Sequence, residues 1–159
     1  MLCPGVDSLS GVDVALVDGH SSVLGQVLAA TAISYSIPLI MDAGHWRAGS
    51  RKLLESVTFP ILSADFKIPI KGELVTFMHQ MGINTFSVSH GSAPIELFQD
   101  GILRSIEIPE CEVVDTLGAG DVLHGAVTYL IGVTGWTVEK IPKILELAGF
   151  IAAQSCRFE

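Results

Sequence analysis

Positive charge is scarce in this chain: 9 lysines and arginines stand against 17 acidic side chains, for a formal net charge of −8. That balance argues against a surface that holds nucleic acid or an anionic membrane non-specifically. It leaves a local phosphate site open, because backbone N–H groups at a helix start bind anions without side-chain charge. Cysteine is rare as well. Cys3, Cys111 and Cys156 are odd in number, far apart and form no CxxC pair, which excludes a disulfide framework and points to reduced thiols in the cytoplasm. Residues 1–7 carry neither a basic stretch nor a long apolar core, so no signal peptide is expected. From Gly19 to Met41 there is no Asp, Glu, Lys or Arg, a length able to span a bilayer. His20, Ser22, Gln26, Ser34 and Pro38 punctuate that stretch where strand, helix and turn would change over. A buried βαβ unit explains the punctuation and a membrane helix does not.

What remains is apolar. Of the 159 residues 49% are hydrophobic and the mean hydropathy is +0.53, which suits one domain with a sizeable core and not a disordered chain. Residues 12–17 read as a strand closed by Asp18-Gly19, followed by a helix to about Tyr35, capped by Ser21 or Ser22, and a second strand over 38–41. The pattern recurs as a helix over 48–57, a strand over 59–62, a helix over 70–81 and a strand over 84–88. Asp100-Gly101 between residues 95–98 and 103–108 then signals a β-hairpin. A last pair of helices is expected, one over about 122–131 and interrupted by Gly132 and Gly135, the other capped by Thr137 and running through Ala153. The sum is a mostly parallel sheet with an antiparallel margin.

Chemistry concentrates in Gly118-Ala119-Gly120-Asp121. Small residues let a ligand approach the main chain, and a helix starting here leaves its first N–H groups unpaired. Such a nest suits phosphate and the charge that develops on a phosphoryl group in flight. Asp121 beside it can take a proton from an attacking hydroxyl. The bland alternative is that Asp121 caps its own helix and the glycines only turn the chain. The loop is neither GK[ST] nor GxGxxG, so the common phosphate-loop motifs are excluded. His20, Asp42 and His45 lie near presumed strand ends, but their spacing is not that of a metal site. Arg47 reads as a solvated loop residue and His124 as a packed, hydrogen-bonded one.

The run Val114-Asp-Thr-Leu-Gly-Ala-Gly-Asp-Val-Leu-His-Gly-Ala126 resembles the C-terminal signature of the ribokinase-like, or PfkB, carbohydrate kinase family. Looser similarity extends from about position 12 to 156. It includes Asp18, Asp42 and Asp65 at successive strand ends and Ser89-His90-Gly91 in place of a Thr-x-Gly step near the nucleotide. The helix beside the adenine pocket falls on residues 148–156. The resemblance implies a three-layer α/β/α core and transfer of the ATP γ-phosphoryl group to a sugar hydroxyl. On it Asp121 falls on the catalytic base and Gly118, Ala119 and Gly120 on the anion hole. Ser89, Gly91, Asp115, Gly118, Gly120, Ala148 and Ala152 fall on the nucleotide side. ATP, Mg2+ and a monovalent cation are the implied cofactors, with no metal ligand assigned among these residues.

Three positions depart from the family pattern: no Asn-x-x-Glu occurs around residues 63–66, Pro94 stands where glycine is usual, and Leu117 replaces a threonine. A complete member of the family is a considerably longer chain. Nothing here resembles its opening Gly-Gly motif, most of its sugar contacts or its lid. Residues 1–159 are therefore expected to form a partial nucleotide-binding and catalytic domain, lacking the N-terminal half and lid. The alternative is an inactive kinase-fold fragment that serves as an interaction or nucleotide-binding module. Exposed apolar surface would favour a homo-oligomer or a complementing N-terminal kinase half as partner.

Overall fold

A computed structural model describes residues 9–20, 22–69 and 73–158. Six strands form one sheet in simple sequence order: β1 (Ala15–Asp18), β2 (Leu39–Ala43), β3 (Phe59–Ser63), β4 (Thr85–His90), β5 (Ala93–Gln99) and β6 (Ile102–Ile106). β1 to β4 run parallel, while β5 and β6 are antiparallel additions. The three parallel crossovers carry α1 (Ser22–Ser34), α2 (Ser50–Leu54) and α3 (Leu74–Gln80). Two longer helices, α4 (Ala119–Thr134) and α5 (Ile141–Ser155), follow β6.

The period-2 alternation of the strands sends their side chains into two separate cores. Leu39, Met41, Leu62 and Phe86 pack with Ala29, Leu53, Phe77 and Met78 of the first three helices. Ile40, Phe59, Ile61 and Leu97 pack with Leu123, Val127, Ile131 and Leu145 of the last two. A sheet covered on both faces in this way is the expected three-layer α/β/α core. Trp46 closes the first core edge-to-face on Phe66 and Phe77, each at 5.6 Å between ring centroids.

Several boundaries differ from the sequence reading for local reasons. The first strand begins only at Ala15, where its N–H reaches the Pro38 carbonyl, because residues 9–12 close a turn first. The helix expected over 48–57 shrinks to Ser50–Leu54. Gly49, at φ 94°, blocks it in front. Behind it, Thr58 must pair with Leu39 through both its N–H and its hydroxyl. Ser21 and residues 70–72 lie outside the described residues, and the helix expected over 70–81 is described from Leu74 to Gln80, with Glu73 as its N-cap. Asp100 and Gly101 both adopt positive φ, 49° and 81°, and join β5 to β6 in the anticipated two-residue turn.

The expected break at Gly132 does not occur, since α4 continues to Thr134. A Cβ at position 132 would lie 3.1 Å from Val14 Cγ1, so glycine there lets α4 close on the lead into β1. Thr137 does not cap α5 directly. A 3-10 turn over Val138–Lys140 intervenes, with Thr137 at its head. The Glu139 carboxyl there is held below its ordinary range, first by its own backbone N–H and then by the Thr137 hydroxyl.

Phe59 is fully buried and packs on Trp136 at 5.7 Å, tying the central sheet to the α4–α5 connection. Phe59→Ala is expected to cost about 3–5 kcal/mol, read as a lower urea midpoint with tryptophan fluorescence as the probe.

Candidate functional site

Between Ile106 and Ala119 the chain has no regular structure, yet its end is fixed by three devices. The Cys156 carbonyl, just past α5, accepts the N–H groups of Val114 at 2.8 Å and Asp115 at 3.1 Å. The Asp115 carboxylate accepts the Leu117 N–H at 2.9 Å, folding the next step into a side-chain turn. Gly118 then takes φ 79°, a left-handed conformation costly for any residue with a Cβ, and serves as the N-cap of α4.

The helix therefore starts at Ala119, three residues earlier than the sequence suggested. Asp121 is not its cap but a first-turn residue, with no side-chain cap bond. Ala119 N–H reaches the Thr116 carbonyl and Val122 N–H the Gly118 carbonyl. Among the described residues no acceptor meets the N–H groups of Gly120 and Asp121. Two unpaired donors thus stand at the positive end of a 16-residue helix, a geometry suited to an anion.

Two cavities meet at this corner. One, of about 570 Å³, lies between the β4–β5 turn, the strap after β6, the start of α4 and the end of α5. Ser89, Gly91, Ala119, Gly120 and Ala152 line it. The other, of about 690 Å³, opens at the carboxyl ends of β1 and β2. Asp18, His20, Asp42, Asp121 and His124 supply its polar wall, and Leu16, Leu24 and Leu28 its apolar one. The first turn of α4 is thus a partition, with Gly120 facing one cavity and Asp121 the other.

The remaining sequence candidates are placed as follows. Asp115 shapes the loop and lines neither cavity, and Gly118 acts through its backbone angle. Ala148 is wholly buried in the second core, while its neighbour Gly149 reaches the 570 Å³ cavity. His45 and Arg47 are exposed in the loop after β2 and line neither cavity. Among the described residues no three His, Cys, Asp or Glu side chains come together as a metal site, and no helix is long and apolar enough to cross a membrane.

Two contributions escaped the sequence reading. Pro109, Glu110 and Cys111 form a strap over the 570 Å³ cavity, in a stretch with no periodic signal. Asp18 and Asp42 converge because β1 and β2 place them in register as parallel partners, a pairing visible only once strand order is known.

Stability and ligand access separate cleanly at the two glycines. Gly118→Ala is expected to destabilise the fold by about 1–2 kcal/mol, the cost of a left-handed non-glycine residue. A Cβ at Gly120 meets nothing within 4 Å, so Gly120→Ala is expected to leave the thermal midpoint unchanged or slightly raised. Differential scanning calorimetry of the two variants checks the contrast.

A family model described as pfkB family carbohydrate kinase matches residues 69–155, more than half of the chain. No curated protein matches. Solved structures with the same fold include a fructokinase from Xylella fastidiosa with bound ATP, at TM-score 0.82, 13% identity and coverage of 96% of this chain and 58% of that one. An Arabidopsis thaliana ribokinase complexed with ribose and ATP gives TM-score 0.73 at 22% identity, with 97% and 53% covered. A Thermotoga maritima ribokinase gives 0.74 at 17%, with 96% and 53% covered. The chain thus spans little more than half the length of the structures it matches.

Proposed function

Because the chain belongs to the pfkB family of carbohydrate kinases, we propose that it carries the donor site and catalytic base of a phosphoryl transfer from ATP to a sugar hydroxyl. The observation behind this reading is the partition: one helix start turns Gly120 to one cavity and Asp121 to the other. Nucleotide would lie in the 570 Å³ cavity, against Ser89, Gly91 and Ala152, with its terminal phosphate at the Gly120 and Asp121 N–H groups. The acceptor hydroxyl would approach from the 690 Å³ cavity. Asp121 takes its proton as the oxygen attacks the γ-phosphorus, the bond to the bridging oxygen breaks, and ADP leaves. The N–H groups of the helix start stabilise the charge on the group in transit.

Magnesium, when bound, neutralises phosphate charge. It would be carried on the nucleotide phosphates with few protein ligands. The low cysteine content fits a reducing, cytoplasmic setting.

Calorimetry of the chain with ATP and ADP tests the donor site. Binding is expected and should fall at least about tenfold in Gly120→Val, whose side chain would occupy the phosphate position. Absence of binding to the wild-type chain would remove the donor-site reading. Asp121→Asn should retain nucleotide affinity and lose sugar-dependent ADP release, by about a hundredfold or more for a lost general base. Equal turnover in that variant rules out Asp121 as base.

A specific observation also favours an assembly. β1 pairs only with β2, leaving its other edge without a strand among the described residues, and Leu16 on β1 and Val23 in the first turn of α1 are 38% and 69% exposed. A second copy, or a complementing N-terminal kinase half, would cover that edge and complete the acceptor side. For a homo-oligomer, sedimentation of the chain alone should show association that Leu16→Lys with Val23→Lys abolishes.

A further inference from the structure

His124 is one of the few buried polar side chains in the molecule, and its two nitrogens have different fates. Nδ1 lies 2.6 Å from the Gly120 carbonyl oxygen. A carbonyl only accepts, so Nδ1 carries the proton. Nε2 is buried and has no hydrogen-bond partner among the described residues. The nearest polar atom recorded for it is Asp42 Oδ1, at 3.6 Å, beyond hydrogen-bond distance. His124 and Asp42 both line the 690 Å³ cavity, together with Asp121.

The tautomer that donates from Nδ1 leaves a lone pair on Nε2, beside the Asp42 carboxylate. Two acceptors at that separation repel, and a buried unsatisfied nitrogen is costly. Ligand N–H or O–H groups that approach from the cavity, one bond to each acceptor, resolve both problems. The rest of the polar wall is mainly acidic, with His20 set against Asp18: its backbone N–H donates to Asp18 Oδ1 at 3.1 Å and its Nδ1 lies 3.3 Å from Oδ2. Asp18 and Asp121 add two further carboxylates, and among the described residues no lysine or arginine lines the cavity. Such a wall repels phosphate and carboxylate groups and favours ligands rich in donors.

We propose that His124 Nε2 and the Asp42 carboxylate jointly dock hydrogen-bond donors of the ligand in the 690 Å³ cavity. The cavity thereby selects hydroxyl-rich neutral or amino-bearing molecules over phosphorylated or carboxylated ones. The proposal rests on the reading of this cavity as the acceptor side, and it narrows the acceptor class. His124 then has two tasks. Its Nδ1–H holds the Gly120 carbonyl at the start of α4, and its Nε2 reads the ligand one step from Asp121.

The two nitrogens can be separated by substitution. His124→Asn keeps an amide near the Nδ1 position, able to donate to Gly120, and removes Nε2. His124→Gln keeps a polar atom near the Nε2 position. Ligand-observed NMR on the whole chain would use ribitol, glucosamine and ribose 5-phosphate as probes, with ADP affinity measured in the same samples. Ribitol and glucosamine are expected to bind, and ribose 5-phosphate at least about tenfold more weakly. His124→Asn and Asp42→Asn should each weaken ribitol by about tenfold or more with ADP affinity preserved, and His124→Gln should bind ribitol closer to wild type. The proposal is overturned if His124→Asn binds ribitol like wild type, if ribose 5-phosphate binds as well as ribitol, or if no probe binds. ADP binding without ribitol binding would sink this inference alone, whereas ribitol binding without ADP binding would sink the donor-site reading and leave this one standing.

Discussion

The first turn of α4 has to begin in open space between two cavities, and the walls of both depend on how that beginning is held. A helix start carries unpaired N–H groups in any protein, and water or a side-chain cap usually takes them. Here Gly118 at φ 79° turns the chain without offering a capping oxygen, so the donors of Gly120 and Asp121 stay available. The turn would be loose if it hung from β6 by a long irregular connection. The Cys156 carbonyl prevents that, because two consecutive N–H groups of the loop end on it. Helix α5 thereby fixes where α4 starts, and their shared core of Leu123, Val127, Ile144 and Leu145 fixes how they lie together.

The sheet supplies the other half of the geometry. Parallel strands must bring their carboxyl ends to one side, and the crossovers return the chain behind them. Asp18 and Asp42 end adjacent strands in register, so two carboxylates face the cavity that Asp121 enters from above. The antiparallel β5 does something different. Its turn from β4 at Gly91 and Ser92 forms a wall of the neighbouring cavity, which parallel strands joined by helices could not place there.

How much of this was legible in the sequence follows from the range of each signal. The alternation of apolar and polar residues and the glycine and aspartate turns are local, so all six strands and both long helices were readable near their places. Asp100-Gly101 specified its turn outright, because both residues tolerate positive φ. Boundaries set by partners elsewhere were not readable. The helix after β2 stops early because Thr58 is required by Leu39, and α4 runs through Gly132 because Val14 needs the space. The candidate loop was visible as a motif, while its tie to Cys156 and the strap at Pro109, Glu110 and Cys111 carry no sequence signature. Reading His124 as a packed, hydrogen-bonded residue accounted for Nδ1 and missed Nε2, since a helical pattern shows that a side chain is buried but not which atom lacks a partner.

The two cavities also differ in how complete they are, and this orders the molecule's chemistry. The wall beside Gly120 is drawn from β4, β5, the strap, α4 and α5, so one continuous stretch of chain from Ser89 to Cys156 builds it. The wall beside Asp121 comes from β1, α1, β2 and α4, and it opens where β1 has no further strand among the described residues. A phosphate can be held by a corner of backbone N–H groups, which needs little enclosure. A hydroxyl acceptor must be oriented and kept from water, which needs a wall on every side. On the proposed reading, the backbone corner could hold an anion with little enclosure, whereas the wall beside Asp121 would need the β1 edge covered before that carboxylate could act as a base.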